Sequence, residues 1–417
     1  MSLRYSRRKR PQRALLAALC VFSFGTSSAL VAQGAKPKPS PKPAAKPAAA
    51  PASPEAAPPT DTYWVYVGAE SADLVHRIRF GPGGAVVEKT FPVGESPTEL
   101  EGPHGLQISP DGQWLHMTTG HGSPDGKYWR YALGPDTLTA PGIFLGYFPA
   151  SIDVTPDGLY AFIVNFNLHG EMVPSSVSVV YTPTSTEVAR TTTCTMPHGS
   201  RVDPTGLYQY STCMMDDQLV EIDTRTFEVS RRFGLAKGKE GPIAIAPAAA
   251  AVSAPAHEEH TPGHKMAPAS CSPTWAQPSA DGSKVFVACN KADEIVELDR
   301  SSWTITRRLK TGRGPYNLGV SRDGKLLIAS LKQGGGVQVF DIAKGESVLE
   351  LKSSTTVSHG VVVSPDSRFA FVSSEGVGAA PGKVDVYDLQ ALKRVASVDV
   401  GQQAGGIAFW KMKKGKR

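Results

Sequence analysis

The sequence is short of the features that announce a chemistry. Its 417 residues include only five cysteines, and none opens a Cys-x-x-Cys-His, which excludes covalent attachment of haem c. There is no Gly-x-Ser-x-Gly elbow, no His-Glu-x-x-His helix and no Gly-x-Gly-x-x-Gly loop, so the common hydrolase, zinc-protease and dinucleotide signatures are missing. After residue 32 no apolar run approaches the roughly 20 residues that a membrane-spanning helix needs. Strong charge is absent from the body as well. The overall +6 comes from residues 1–13, 35–60 and 411–417, which together carry +14 and leave residues 61–410 at −8. A mildly acidic body argues against a nucleic-acid groove.

What is present begins with an export signal. Arg7, Arg8, Lys9, Arg10 and Arg13 form a basic n-region, Ala14 to Phe24 an apolar run too short to span a bilayer, and small residues follow with a cut after Leu30-Val31-Ala32. Residues 1–32 read as a secretory signal peptide. Ser6-Arg7-Arg8 leaves twin-arginine export open, whereas Leu19 before Cys20 is a poor lipoprotein box. Residues 33–60 are rich in Pro, Ala and Lys and should form a semi-extended tether. The expected location is periplasmic or secreted, with 411–417 as a basic tail.

Between these ends runs a repeat. Ser109-Pro-Asp-Gly112, Thr155-Pro-Asp-Gly158, Asp203-Pro-Thr-Gly206, Ser279-Ala-Asp-Gly282, Ser321-Arg-Asp-Gly324 and Ser364-Pro-Asp-Ser367 are tight-turn signals at intervals of 46, 48, 76, 42 and 43 residues. After each comes an apolar strand such as Lys284-Val-Phe-Val-Ala-Cys289, then one ending in Asp such as Ile295-Val-Glu-Leu-Asp299, then a third. Four short strands per 40–50 residues predict a propeller blade. Innermost strands begin near His104, Ala150, His198, Thr274, Tyr316, His359 and Ala404, and the last has no strands after it. Three surplus strands precede the first turn, so the two ends together make a seventh blade. The expected fold is an all-β, seven-bladed propeller of four-stranded antiparallel blades over 61–410, its N-terminal three strands completed by the C-terminal inner strand. The long interval marks an insertion at 240–270.

The segment SHGVVVSPDSRFAFVSSEG…GKVDVYDLQALKRVASVDVG resembles the YVTN family of β-propellers. That resemblance spans residues 62–410 and implies the fold. Relatives range from protein-binding surface modules to lactonases and metal-containing reductases, so it does not imply one function.

Blades 3 and 4 align without gaps at an offset of 76, placing Cys213 on Cys289, Asp217 on Asp293 and Asp223 on Asp299. Cys194 and Cys271 precede the two inner strands. The start of an inner strand and the end of the returning one share a rim, so Cys194 should meet Cys213 and Cys271 should meet Cys289. Two intrablade disulfides follow, each closing a loop of about 20 residues and contributing about 3 kcal/mol. Free thiols, a metal-thiolate site and a Cys213–Cys271 link are the alternatives.

His104, His198 and His359 occupy one position of blades 1, 3 and 6, at the channel mouth. Three imidazoles there could hold a single copper or zinc ion with an open position, or simply line a wet channel before a glycine that close approach requires. In the insertion, His257, His260, His264 and Met266 form a tract of the kind that binds copper or zinc loosely. Met214-Met215 reads as packing. Trp129, Trp275 and Tyr316 are candidate aromatic contacts.

Three functions therefore compete. The first is a non-catalytic binding module for a small-molecule ligand or an envelope protein. The second is a copper- or zinc-binding protein or metal-dependent oxidoreductase using the mouth histidines. The third is a lactonase-like hydrolase with Asp153, Asp203 or His198 as base, suggested by TYWVYVGAESADLVHRIRF. Peptide mapping of unreduced, exported protein is expected to find Cys194–Cys213 and Cys271–Cys289 with no free thiol. A Cys213–Cys271 peptide, or thiols protected only by added metal, would overturn the pairing.

Overall fold

Strands such as Lys284–Cys289 and Phe369–Ser374 carry apolar or small residues on both faces and are buried almost throughout. A sheet that is apolar on both faces must be covered on both faces. The fold meets that demand by standing sheets side by side around an axis. The structure, a computed structural model, describes residues 58–96, 98–120, 125–245 and 269–416. The expected signal peptide, nearly all of the tether and the insertion residues His257, His260, His264 and Met266 lie outside the described residues.

Seven antiparallel sheets form the ring. Their inner strands are Pro103–Ile108, Pro149–Val154, Pro197–Val202, Pro273–Pro278, Pro315–Val320, Ser358–Val363 and Ala404–Lys413, defining blades 1 to 7. Each starts at or within one residue of the position read from the repeat. Seven apolar clusters fill the seven gaps between neighbours. Phe369 and Phe371 of blade 6 meet Tyr63 and Phe80 of blade 7, for example, while Tyr66 and Phe91 of blade 7 meet Trp129 and Tyr131 of blade 1. Outer strands face solvent on one side and alternate accordingly, as Thr186–Thr195 does over most of its length.

Two blades depart from four simple strands. In blade 1, Thr137–Leu138 and Ile143–Tyr147 both pair with Asp125–Ala132. In blade 3, Gly241–Ile243 adds a fifth strand outside Glu228–Gly234, so the start of the expected 240–270 insertion is strand.

The closing blade has the order Gly84–Pro92, Leu74–Gly81, Thr62–Ala69, Ala404–Lys413. Tyr63 pairs with Met412, Val65 with Phe409 and Val67 with Ile407. The last strand runs to Lys413, so the basic tail begins as strand. Beyond it Lys414 Nζ lies 3.0 Å from Asp61 Oδ2, and the Gly415 N–H donates to Asp61 Oδ1 at 2.9 Å.

The repeated turns work as their residues suggest. Asp157, Asp281, Asp323 and Asp366 each accept from the Ser or Thr hydroxyl two residues earlier and from the N–H two residues later. Both cysteine pairings are present, with Cα–Cα distances of 5.8 Å for Cys194–Cys213 and 4.5 Å for Cys271–Cys289. The first is not intrablade. The outer strand of blade 2 extends to Thr195, leaving Met196 alone between blades, so Cys194 belongs to blade 2 and its bond ties blade 2 to blade 3.

Deleting residues 404–417 should remove the closing strand and expose the edge of Thr62–Ala69. The product is expected to be insoluble or to melt tens of degrees lower, whereas deleting 35–60 should shift melting by no more than about 2 °C. Differential scanning calorimetry of both truncations distinguishes these outcomes. Acid sensitivity is a second consequence. His116 is buried between sheets, with Nδ1 2.7 Å from Tyr128 Oη. Burial pushes its pKa down to about 3, assisted by Arg130 and opposed by Asp111. Between pH 6.5 and 3 the unfolded chain thus binds a proton that the folded protein refuses, so stability falls with acidification by up to about 1.4 kcal/mol per pH unit for this histidine. In denaturant titrations across pH 7 to 4.5, His116→Gln should lose that share of the slope.

Candidate functional site

The channel mouth is built from two rings of positions that the blade repeat generates. The first ring is the second residue of each inner strand in blades 1 to 6: His104, Ala150, His198, Thr274, Tyr316 and His359. Pairing register shifts within or beside the first four residues of these strands, and such a bulge redirects a side chain. Close approach at this level admits only glycine behind His104 and His359. A Cβ on Gly105 would lie 2.7 Å from Thr118 Oγ1, and one on Gly360 would lie 2.9 Å from the Gly405 carbonyl oxygen.

The second ring is the residue following each returning strand. These are Glu70, Gly120, Phe166, Met214, Asn290, Lys332 and Glu375, and all but Gly120 line a mouth cavity of about 310 Å³. Three aspartates hold the two rings in register. Asp73, Asp217 and Asp293 adopt left-handed backbone, with φ of 48°, 50° and 52°. Each carboxylate accepts N–H groups from the segment entering the next blade: Gly102 on Asp73 at 2.7 Å, Ser272 on Asp217 at 2.7 Å, Gly314 on Asp293 at 2.7 Å.

Imidazole tautomers follow from these contacts. His104 Nδ1 lies 2.5 Å from the Ala150 carbonyl oxygen, and His198 Nδ1 lies 2.7 Å from that of Thr274. A carbonyl only accepts, so Nδ1 carries the proton in both rings and Nε2 the lone pair. The Tyr316 hydroxyl donates to His198 Nε2 at 3.0 Å. His104 Nε2 instead faces Glu70 Oε1 at 3.9 Å. His359 Nε2 stands 3.8 Å from Glu375 Oε1, and the ring is buried beside the Gly405 backbone.

Burial governs the charges. It pushes the Glu70 carboxyl well above the usual carboxylate range, reinforced by Glu375 and opposed by Lys332. It drives His198 down to about 4, and His359 well below its ordinary value with help from Lys332, His104 and His198; a weaker backbone interaction with Gly405 opposes the latter shift. Burial alone would lower Lys332, but Tyr316, Glu375 and Glu70 outweigh it and hold the ammonium above its usual value. Lys332 Nζ lies 2.8 Å from Glu375 Oε1 and 4.3 Å from the centre of the Tyr316 ring.

Of the residues singled out by sequence, His104, His198 and His359 do converge, with ring centres 6.3 Å apart for His104–His198 and 5.4 Å for His104–His359. Glu70, His104 and His359 form the tighter group: one ligand atom from each lies within 4.8 Å of the others. Tyr316 and Met214 line the mouth. Trp129 is packing, buried against Gly142 with its indole N–H on Thr119 Oγ1. Trp275 lies deeper in the channel under the Arg201 guanidinium. The proposed bases do not meet. Asp203 caps its turn through the N–H groups of Leu207 and Tyr208, and Asp153 accepts from Val202 N–H. Both face a cavity of about 600 Å³ among the Pro-Asp-Gly turns, at the end of the inner strand Pro197–Val202 away from His198. A wider cavity of about 920 Å³ beside blade 2 gathers Tyr147, His169, Glu171 and Arg190 as its ionisable groups. Glu70, Lys332 and Glu375 went unnoticed in the sequence, although their shared place after the returning strand marks them.

The chain is structurally similar to hydrazine synthase of Kuenenia stuttgartiensis, at 17% identity and a TM-score of 0.54 over 74% of this chain and 90% of that one. It is also similar to a functionally unknown protein from Desulfotomaculum acetoxidans DSM 771, at 14% identity and a TM-score of 0.59 over 83% and 98%. No protein-family model matches the chain, and no curated protein matches it in sequence. As many as 1545 solved chains match, so at such identities the likeness carries the propeller fold and leaves its chemistry to the residues at the mouth.

Proposed function

We propose that the protein is an exported YVTN-like propeller that acts as a non-catalytic binding module and takes a small polar ligand at the channel mouth. One observation carries this reading: Glu70, His104, Tyr316, Lys332, His359 and Glu375 all line one cavity of about 310 Å³. Burying such groups costs several kcal/mol each unless they are paired. A ring needing only mechanical closure has no use for them at its mouth, since the clusters between its blades are apolar and the buried carboxylates there, such as Glu221 and Glu297, are paired with arginines. The basic n-region and the two disulfides support export to an oxidising compartment. Lys332 and Glu375 offer one charge of each sign, while Phe148, Phe166 and Met214 supply an apolar wall. This suits a compact ligand with both polar and apolar faces. The hydrolase alternative has less support, because Asp153 and Asp203 lie away from the histidines.

A thermal-shift screen with small zwitterions, carboxylates and amines tests the reading. At least one class should raise the melting temperature of the wild type, and Lys332→Met and Tyr316→Phe should abolish the rise while retaining a cooperative transition. Rises that persist in both variants, or no rise with any class, would overturn it.

A further inference from the structure

We infer that the mouth holds one divalent transition-metal ion of the zinc or copper class through Glu70, His104 and His359, and that this ion staples the ring where it closes. The inference deepens the mouth-binding reading and rests on it for the location of the site. Two imidazoles and one carboxylate are a donor set that zinc and copper accept, with the cavity above leaving a position for water or ligand. All three residues are buried and their ligand atoms lie mutually within 4.8 Å. Donors about 2.1 Å from a tetrahedral ion stand roughly 3.4 Å apart. His104 Nε2 and Glu70 Oε1, at 3.9 Å, need only a small contraction to meet it.

The surroundings are those of a prepared site. The Ala150 carbonyl fixes the His104 tautomer so that the Nε2 lone pair faces Glu70, the role that an outer partner plays for metal-binding histidines. Glu70 is oriented by Gln403, whose Nε2 donates to Glu70 Oε2 at 3.1 Å and whose carbonyl accepts the Glu70 N–H at 3.0 Å. His359 is fully enclosed beside the Gly405 backbone, so its ring is held in place next to Glu70 and His104. Lys332 is matched by Glu375, outside the three donors. His198 is not a ligand, because the Tyr316 hydroxyl occupies its lone pair.

The three donors also come from three consecutive blades. His359 opens blade 6, Glu70 follows the N-terminal strand of blade 7, and His104 opens blade 1. An ion among them would bridge both neighbours of the one blade assembled from the two ends of the chain.

The test uses the full exported chain with His257, His260 and His264 replaced by alanine, which removes the insertion as a competing site. After loading with zinc or copper(II) and desalting, elemental analysis should find about one equivalent. Glu70→Gln and His104→Asn in this background should weaken affinity by about 100-fold, and Tyr316→Phe by less than about threefold. Added metal should raise the melting temperature of the parent and not of Glu70→Gln. Should a ligand variant fail to fold, X-ray absorption of the zinc-loaded parent replaces it: a shell containing two imidazoles supports the site, and one with none overturns it. Less than about 0.2 equivalents, or affinity unchanged by both substitutions, also overturns it. Lack of metal with the Lys332-dependent ligand shift intact sinks this inference alone; loss of both sinks the mouth-binding reading too.

Discussion

The ring rests on one backbone pairing, that of Thr62–Ala69 with Ala404–Lys413. Every blade is apolar on both faces, so each needs two neighbours, and only a closed circle supplies them to all seven. Open the seam and the inner face of blade 7 is gone. Tyr63 and Phe80 would then lose Ala404 and Ile407 from their cluster, and Leu106 of blade 1 would lose Ala408. The two partners stand more than 330 residues apart in the chain, so the loop entropy of bringing them together is borne by apolar contacts that form only when all blades are in place. The tail contacts between Asp61 and Lys414 and Gly415 extend this seam by one more turn of chain.

The mouth takes its shape from the same seam. Glu70 leaves the N-terminal strand and is held at once by Gln403, just ahead of the C-terminal strand, while Ser71 Oγ donates to Gln403 Oε1 at 2.5 Å. Around the rest of the circle, left-handed aspartates at 73, 217 and 293 clamp the entry of the following blade. The first-ring side chains are thus positioned by backbone hydrogen bonds from a neighbouring sheet. That rigidity is what a binding site of buried charges requires, because polar groups in a low-dielectric mouth are stabilised only in a narrow range of geometries.

The buried groups of the mouth are partnered differently from those between the blades. There, carboxylates such as Glu221 and Glu297 sit beneath arginines: Arg231 Nη2 contacts Glu221 at 2.6 Å, and Arg307 also reaches Glu297. These pairs repeat at equivalent positions of blades 3 and 4 and belong to the scaffold. Glu70 has two buried imidazoles near it instead. The difference is the reason for proposing that the mouth binds an occupant while the arginine-paired carboxylates belong to the scaffold.

Sequence alone determined the architecture, because it depends on local and periodic properties. The Ser-Pro-Asp-Gly turns have one geometry, the apolar strands need cover on both faces, and counting surplus strands at the two ends leaves a seventh blade. The same periodicity paired Cys194 with Cys213 and Cys271 with Cys289, and put His104, His198 and His359 on one rim. Tertiary structure decided what periodicity cannot express. Strand length made the Cys194 bond an interblade link, since the outer strand of blade 2 continues to Thr195. Hydrogen bonds across the channel gave the His198 lone pair to Tyr316, 118 residues away. Closure then brought Glu70 from the first strand beside histidines of blades 1 and 6. Such contacts join positions that share neither sequence neighbourhood nor repeat phase, and only the closed ring sets their distances.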